Sequence, residues 1–289
     1  NVLAEAPLGA DMAYRFELSD LTGADRVRLG HATPAESLYL YHARLGHRNK
    51  RDLSEAIKGG LVVGIPQHAA VNRKEGLCDA CVKAKSTRHS FANATSSKLT
   101  KRAPDLAPQQ QVVRRMVTDL KGPISVAGVD GANYIQLFTE EDTRFRVCKT
   151  MATKSQAIVN LREYIEIDLA SEGQRLQEYH SDGAPELVSK ETVTFLANKG
   201  CRVSYSPPYT PERNGIAERS NRTVWESAYA MWLACALPAI FWTYAVHYAT
   251  VIVNMLPTTT AFGWISPFQA KYAAPGDVHS FRTFGCIAY

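Results

Sequence analysis

From Ser227 to Ala270 the chain carries no Asp, Glu, Lys or Arg, and 44 consecutive uncharged residues leave a polypeptide two kinds of place to be. One is a lipid bilayer, which needs about 20 consecutive apolar residues. The other is the interior of a protein large enough to surround the segment. The longest candidate, Ala239 to Leu256, is closed by Pro238 and Pro257 and includes His247, Asn254 and several threonine and tyrosine hydroxyls. It is marginal in length and too polar for a span, so a buried helix is expected and no membrane partner. With 289 residues, 45% hydrophobic and 21% charged, the chain has the apolar material for such a core in one or two domains.

The net charge of +5 is unevenly spread. Residues 1–115 hold 18 Lys+Arg against 11 Asp+Glu, whereas residues 116–289 hold 15 against 17. Within the basic half, Lys83, Lys85, Arg88, Lys98, Lys101, Arg102, Arg114 and Arg115 face the single acid Asp105. That balance suits either nucleic acid or a solvated surface. Six cysteines with one close pair are too scattered for a disulfide framework and point to a reducing compartment with metal use. The chain opens on Asn1 without a basic-then-apolar leader and reads as a piece of something longer.

The organisation changes near residue 111. Residues 93–111 are rich in Ala, Ser, Thr, Pro and Gln, lack either hydrophobic period, and read as a linker. Beyond them, strands are expected at Val112–Leu120, Tyr134–Thr139, Arg144–Met151, Arg175–Ser181 and around Cys201–Tyr205. Helices are expected over Lys154–Ala170, over Ser189–Lys199 and from about Asn214, after a loop enforced by Pro207, Pro208 and Pro211. Hairpin strands followed by helix-separated strands define an α/β class with a mixed sheet.

Two constellations carry chemistry. His42-x4-His47 and, 30 residues later, Cys78-x2-Cys81 can supply the two nitrogens and two thiolates of a closed tetrahedral Zn2+ site. A module this small gains its folding free energy from such a metal, so chelation is expected to unfold it while leaving the remaining helices intact. The second constellation is Asp119 and Asp182 at strand ends with Glu218 on the helix after the proline loop. Three such acids can converge on two divalent ions, Mg2+ or Mn2+, that serve phosphodiester transfer. Taken singly, each is as readily a solvated surface charge.

The residues also carry a resemblance. His42-Ala-Arg-Leu-Gly-His47 with Cys78-Asp-Ala-Cys81-Val-Lys-Ala-Lys resembles the pre-integrase zinc module of copia-type retrotransposon polyproteins. Val117-Thr-Asp119-Leu-Lys-Gly-Pro123, His180-Ser-Asp182-Gly and Pro208 through Glu218-Arg-Ser-Asn-Arg222-Thr, with the closing Phe284-Gly-Cys-Ile-Ala-Tyr289, resemble the integrase core that follows. The resemblance implies a ribonuclease H-like core with Asp119, Asp182 and Glu218 as metal-binding catalytic triad, and Zn2+ at His42, His47, Cys78 and Cys81. Where the family usually has Asn-Gly-Gly-Glu after the second aspartate, this chain has Gly183-Ala184-Pro185-Glu186.

The expected layout is an N-terminal extension over 1–38, the zinc module over 39–92, the linker, the catalytic core over 112–270 and the start of a C-terminal region over 271–289. The implied function is integration: metal-dependent 3′-end processing and DNA strand transfer, by a homo-oligomer acting in the nucleus on double-stranded DNA. A nuclease of the same fold, or a decayed zinc and DNA-binding remnant, are the alternatives. DNA contacts are expected from Arg222, Arg219 and Asn214 beside the third acid, and from Lys83, Lys85 and Arg88 in the basic run.

Overall fold

The computed structural model describes residues 37–70, 77–85, 112–206, 215–235 and 237–286. Residues 1–36 of the 1–38 extension, the 93–111 linker, Arg88, the proline loop and Asn214 lie outside the described residues.

Helices α1 (Leu38–Arg44) and α2 (Lys50–Lys58) open the fold, followed by a short strand β1 (Val62–Val63) and helix α3 (Asp79–Lys85). Ser37 and Asn49 cap the first two helices, their side-chain oxygens accepting from the Leu40 and Arg51 amides. Strands β2 (Val112–Val113), β3 (Met116–Lys121), β4 (Tyr134–Glu140) and β5 (Arg146–Met151) come next. The expected first strand is therefore broken at Arg114 and Arg115. Both turn outward to acids: Arg114 to Asp142 at 3.6 Å, and Arg115 to Glu141 at 3.3 Å and Glu178 at 3.2 Å. This end of the basic run is thus neutralised by partners distant in sequence.

The helix expected over Lys154–Ala170 is three pieces: a 3-10 turn, α4 (Ala157–Glu163) and a π-helical stretch, Tyr164–Leu169. Its two buried residues, Tyr164 and Leu169, stand five apart, the spacing of an i→i+5 ladder. Tyr164 stacks on Phe138 of β4 at 4.8 Å. Strands β6 (Arg175–Leu176) and β7 (Glu178–Ser181), helix α5 (Lys190–Asn198) and strand β8 (Arg202–Tyr205) complete the sheet region. Ser189 caps α5 through the Thr192 amide.

The main sheet has the order β5-β4-β3-β7-β8. β3, β4 and β5 pair antiparallel, whereas β7 runs parallel to both β3 and β8. Three meandering strands with two parallel additions beside the first give the ribonuclease H-like sheet that the resemblance implies. The register sets Val117 opposite His180, and β7 ends one residue later, just before Asp182.

The uncharged stretch forms the end of α6 (Gly215–Cys235) and all of α7 (Trp242–Met255), with β9 (Thr258–Thr260), β10 (Gly263–Ile265) and α8 (Pro267–Tyr272) after them. No helix among the described residues is long and apolar enough to cross a membrane. Instead Val246, Ala249 and Ile252 of α7 are buried in the largest hydrophobic cluster. A fully buried Val or Ile contributes roughly 1.5–3 kcal/mol, which is why this segment tolerates no charge. The one side-chain amide of α7 is satisfied: Asn254 accepts from the Arg146 amide at 2.9 Å and donates to the Arg146 carbonyl at 2.7 Å, pairing backbone groups of edge strand β5.

The same cluster contains Leu38, Tyr41, Leu45, Leu53 and Ile57 of α1 and α2, Val224, Ala228 and Met231 of α6, and Val278, Phe281 and Phe284 near the end. β1 pairs in parallel with β11 (Gly276–Asp277). The His/Cys module, the long helices and the last described segment thus share one core. A second cluster lies on the other sheet face, under α4 and α5. Cys148, Cys201 and Cys235 are buried as apolar residues, whereas Cys286 is exposed.

Candidate functional site

His42 ends α1, His47 follows a turn, and Cys78 and Cys81 sit at the start of α3. Gly46 and His47 both adopt positive φ, 59° and 57°, and this reversal returns the second imidazole toward the first. His47 Nδ1 lies 3.2 Å from His42 Nε2, Cys78 Sγ 3.3 Å from His47 Nδ1, and Cys81 Sγ 3.4 Å from His42 Nε2. The four ligand atoms all lie within 4.8 Å of one another. A tetrahedral Zn2+ with ordinary bond lengths separates its ligands by about 3.3 Å for N···N and about 3.6 Å for N···S, so the quartet fits.

The surroundings agree. The Arg48 carbonyl lies 2.6 Å from His42 Nδ1, which fixes the tautomer and leaves Nε2 as the inward lone pair. Burial lowers the pKa of His47 and keeps it neutral, the form that ligates. The Cys78 thiol is pushed down, first by its hydrogen bond with Cys81 and further by those with the two histidines, while the same bond and burial push Cys81 up. Lys85 donates to the His47 carbonyl and is half-buried, its ammonium turned inward on the knuckle. Lys83 is exposed.

Near the start of α6, Asp119 lies in the field of Asp182 and Glu218, although their carboxylates are not drawn into one ligand cluster as the His/Cys quartet is. Asp119 is half-buried on β3; Asp182 is exposed immediately after β7, and Glu218 is exposed in the first turn of α6. α6 packs across β3 and β4. The carboxyl pKa of Asp119 is raised, chiefly by burial and then by the charges of Asp182 and Glu218, which places all three in one field. Asp119 Oδ1 accepts from the Leu120 amide at 2.8 Å and Oδ2 from Asn221 Nδ2 at 2.8 Å. Asp182 Oδ1 accepts from the Ala184 amide at 3.0 Å, so the unusual Gly183-Ala184 turn still holds its aspartate.

Asn221 escapes the sequence reading. Its signal is its position three residues after Glu218, on the same helix face. Its amide supports the ionised form of Asp119 against burial and repulsion. Arg219 and Arg222 are exposed, and Arg222 makes no ion pair with Glu218. His180 Nδ1 lies 2.8 Å from Ser204 Oγ on β8 and its Nε2 lies 3.1 Å from Ser206 Oγ just beyond that strand. Glu140 is buried against Lys271 at 2.7 Å, and Glu141 is paired to Arg115.

Residues 13–86 match the GAG-pre-integrase domain. Over 253 residues the chain is 27% identical to the Retrovirus-related Pol polyprotein from transposon TNT 1-94 of Nicotiana tabacum, an alignment that spans 88% of this chain and 18% of that protein. It is likewise 27% identical over 254 residues to the Retrovirus-related Pol polyprotein from transposon RE2 of Arabidopsis thaliana, spanning 86% of this chain and 16% of that one. The chain therefore spans less than a fifth of the length of these polyproteins. Among solved structures it is similar to the catalytic core domain of BIV integrase, at 14% identity and a TM-score of 0.41, over 54% of this chain and 92% of that one. It is also similar to a chain of the simian T-cell lymphotropic virus intasome, solved in complex with PP2A regulatory subunit B56 gamma, at 16% identity and a TM-score of 0.46, over 62% and 61% of the two chains. The chain is thus similar over most of its length to a segment of retrotransposon Pol polyproteins, and its N-terminal part matches a GAG-pre-integrase domain.

Proposed function

We propose that this chain is a DNA-joining polynucleotidyl transferase that trims element cDNA near its 3′ end and inserts the freed end into target DNA. The observation that supports this most is that Asp119, on the central strand, lies in the field of Asp182 and Glu218, its carboxyl raised first by burial and further by those two charges. Three carboxylates are an all-oxygen set suited to Mg2+ or Mn2+, and a carboxyl raised by neighbouring anions marks a site where a cation would be stabilising. In this reading Asp119, Asp182 and Glu218 hold two divalent ions, which supply Lewis-acid stabilisation of the attacking and leaving oxygens.

The remaining work falls to the chain. Asn221 and the Leu120 amide fix the two oxygens of Asp119. Exposed Arg219 and Arg222, on the adjoining turns, take DNA phosphates. Water attacks first; one P–O bond forms as another breaks, the attacking oxygen loses a proton and the leaving 3′-oxygen gains one. The freed 3′-OH then attacks a target phosphodiester by the same in-line displacement. His42, His47, Cys78 and Cys81 hold one structural Zn2+. A double-stranded DNA substrate, a homo-oligomer and a nuclear site of action belong to the same reading.

The test is joining of a pre-cut DNA end by wild type and by Glu218→Gln, with Glu191→Gln on α5 as control. Gln keeps size and hydrogen bonding but loses the anionic oxygen, so trimming and joining should fall together by orders of magnitude. Equal joining by the Gln variant refutes the triad. Nicks without joined product identify a nuclease, and binding alone identifies a remnant.

A further inference from the structure

The face of β3 that bears Asp119 also bears Lys121, two residues on. The stripe of α6 that bears Glu218 and Asn221 continues two turns later to Trp225. Strand and helix meet at two successive rungs. Asn221 donates to Asp119 at 2.8 Å, and the Lys121 ammonium lies over the Trp225 ring, 5.0 Å from its centroid. Trp225 is the head of an aromatic row along α6: Tyr229 stacks near-parallel to it at 6.3 Å, and Trp232 lies 5.3 Å from Tyr229. Trp242 of α7 braces Trp225 edge-on at 6.4 Å, and Trp242 is itself fixed by donating to the Val126 carbonyl at 2.8 Å. Lys121, Trp225, Tyr229 and Trp232 are all half-buried.

We propose that Lys121 and Trp225 grip the DNA end beside the carboxylates: an unpaired base stacks on the Trp225 ring while Lys121 moves from the ring to the adjacent phosphate. This rests on the DNA-joining reading and specifies which form of DNA end it takes. A braced indole with an ammonium on its face offers the two features single-stranded nucleic acid uses, a stacking plane and a cation for the backbone. Seven helical residues advance about 10 Å, equal to roughly three stacked nucleotides, so the gripped base lies about that far from the reacting phosphodiester. Duplex DNA keeps its bases paired and cannot present one to the ring. A frayed end can.

The experiment uses the 289-residue chain, a duplex with a three-nucleotide unpaired end carrying 2-aminopurine, and the same duplex fully paired. Wild type should quench the fluorophore and prefer the unpaired end. Trp225→Leu should lose the quenching and bind the unpaired end about tenfold more weakly, with little change for the paired duplex. Trp225→Phe should keep most of both. Lys121→Gln should reduce the slope of log affinity against log salt by about one. A wild type that binds neither DNA overturns this inference together with the joining reading. A wild type that binds and joins, with Trp225→Leu retaining quenching and end preference, overturns the inference alone. If Trp225→Leu fails to fold, Trp225→Phe and Lys121→Gln decide: loss of quenching in the Phe variant, or an unchanged salt slope in the Gln variant, refutes it.

Discussion

Gly46 lies between the two histidines and against α6, and Gly46→Ala should report whether the knuckle is seated on the helix that carries Glu218. A Cβ at Gly46 would stand 2.2 Å from Ser227 Oγ, which donates to the Gly46 carbonyl at 2.8 Å. The hydroxyl must therefore rotate away, and because Ser227 is buried it is stranded without water. Stranding costs about 1–3 kcal/mol. The left-handed backbone at φ 59° adds about 1–2 kcal/mol for any residue with a Cβ. The expected loss is about 3 kcal/mol, or a melting temperature lower by roughly 6–12 °C for a chain of this size. Ser227→Ala alone removes one hydrogen bond and should cost about 1 kcal/mol. In the double variant there is no hydroxyl to displace, so its loss should fall short of the summed single losses by about 1–2 kcal/mol in a double-mutant cycle. The assay is urea and thermal unfolding followed by circular dichroism, with zinc content measured on each variant. Additive losses, or a Gly46→Ala protein as stable as wild type, would refute the seating.

Elemental analysis should find one zinc per chain, lost in Cys78→Ser. Because the module and the long helices share one hydrophobic cluster, chelation should lower the melting of the whole chain rather than of the module alone, as a probe on Trp242 would read. Lys271→Met should destabilise by about 3–5 kcal/mol, since Glu140 at 2.7 Å and Glu172 at 2.9 Å would lose their buried cation. Asn221→Ala should raise the Asp119 carboxyl further, moving the acid limb of the joining rate to higher pH. An unmoved limb with a folded protein would remove Asn221 from that role. His247 is lowered by burial, so its contribution to stability is complete above its ordinary value of 6.5 and is lost as pH falls below it. His247→Gln should flatten that acid slope in a melting series.

What could be read from sequence was what spacing encodes. Hairpin strands followed by helix-separated strands are enough to read a mixed sheet, although Asp119, expected at a strand end, lies inside β3, and the His and Cys spacings alone predict a quartet that the structure gathers within 4.8 Å. What could not be read depends on residues far apart in the chain. Arg114 and Arg115 look like part of a basic run until Asp142, Glu141 and Glu178 are folded beside them. Lys85 looks like a phosphate contact until the knuckle turns its ammonium onto the His47 carbonyl. The π-helical turn at Tyr164 is hidden for a similar reason, since an apolar residue at i+5 is indistinguishable from noise in a 3.6-residue period.

The layout of α6 explains how one helix can meet both the His/Cys knuckle and the strand that bears Asp119. Its buried residues are mostly small, with Ala217, Ser220, Ser227, Ala228 and Ala230 facing inward, so the helix lies close to the sheet at one end and to the knuckle further along. Close packing leaves little room for the axis to tilt, because displaced side chains would meet backbone rather than flexible neighbours. Glu218 and Asn221 project from the first turns of this helix, and the Asn221–Asp119 hydrogen bond ties it to β3. The hydroxyl of Ser227 ties it to Gly46 about 9 Å further on by helical rise. A side chain larger than Ala at position 217 would therefore disturb the carboxylate end, and one at 228 would disturb the shared core. Ala217→Val and Ala228→Val make that argument measurable. The first should lower divalent-ion affinity with modest loss of stability, and the second should lower stability, by about 1–3 kcal/mol, with ion affinity kept in the folded fraction. Equal effects of both variants on ion affinity would mean that α6 does not divide its length in this way.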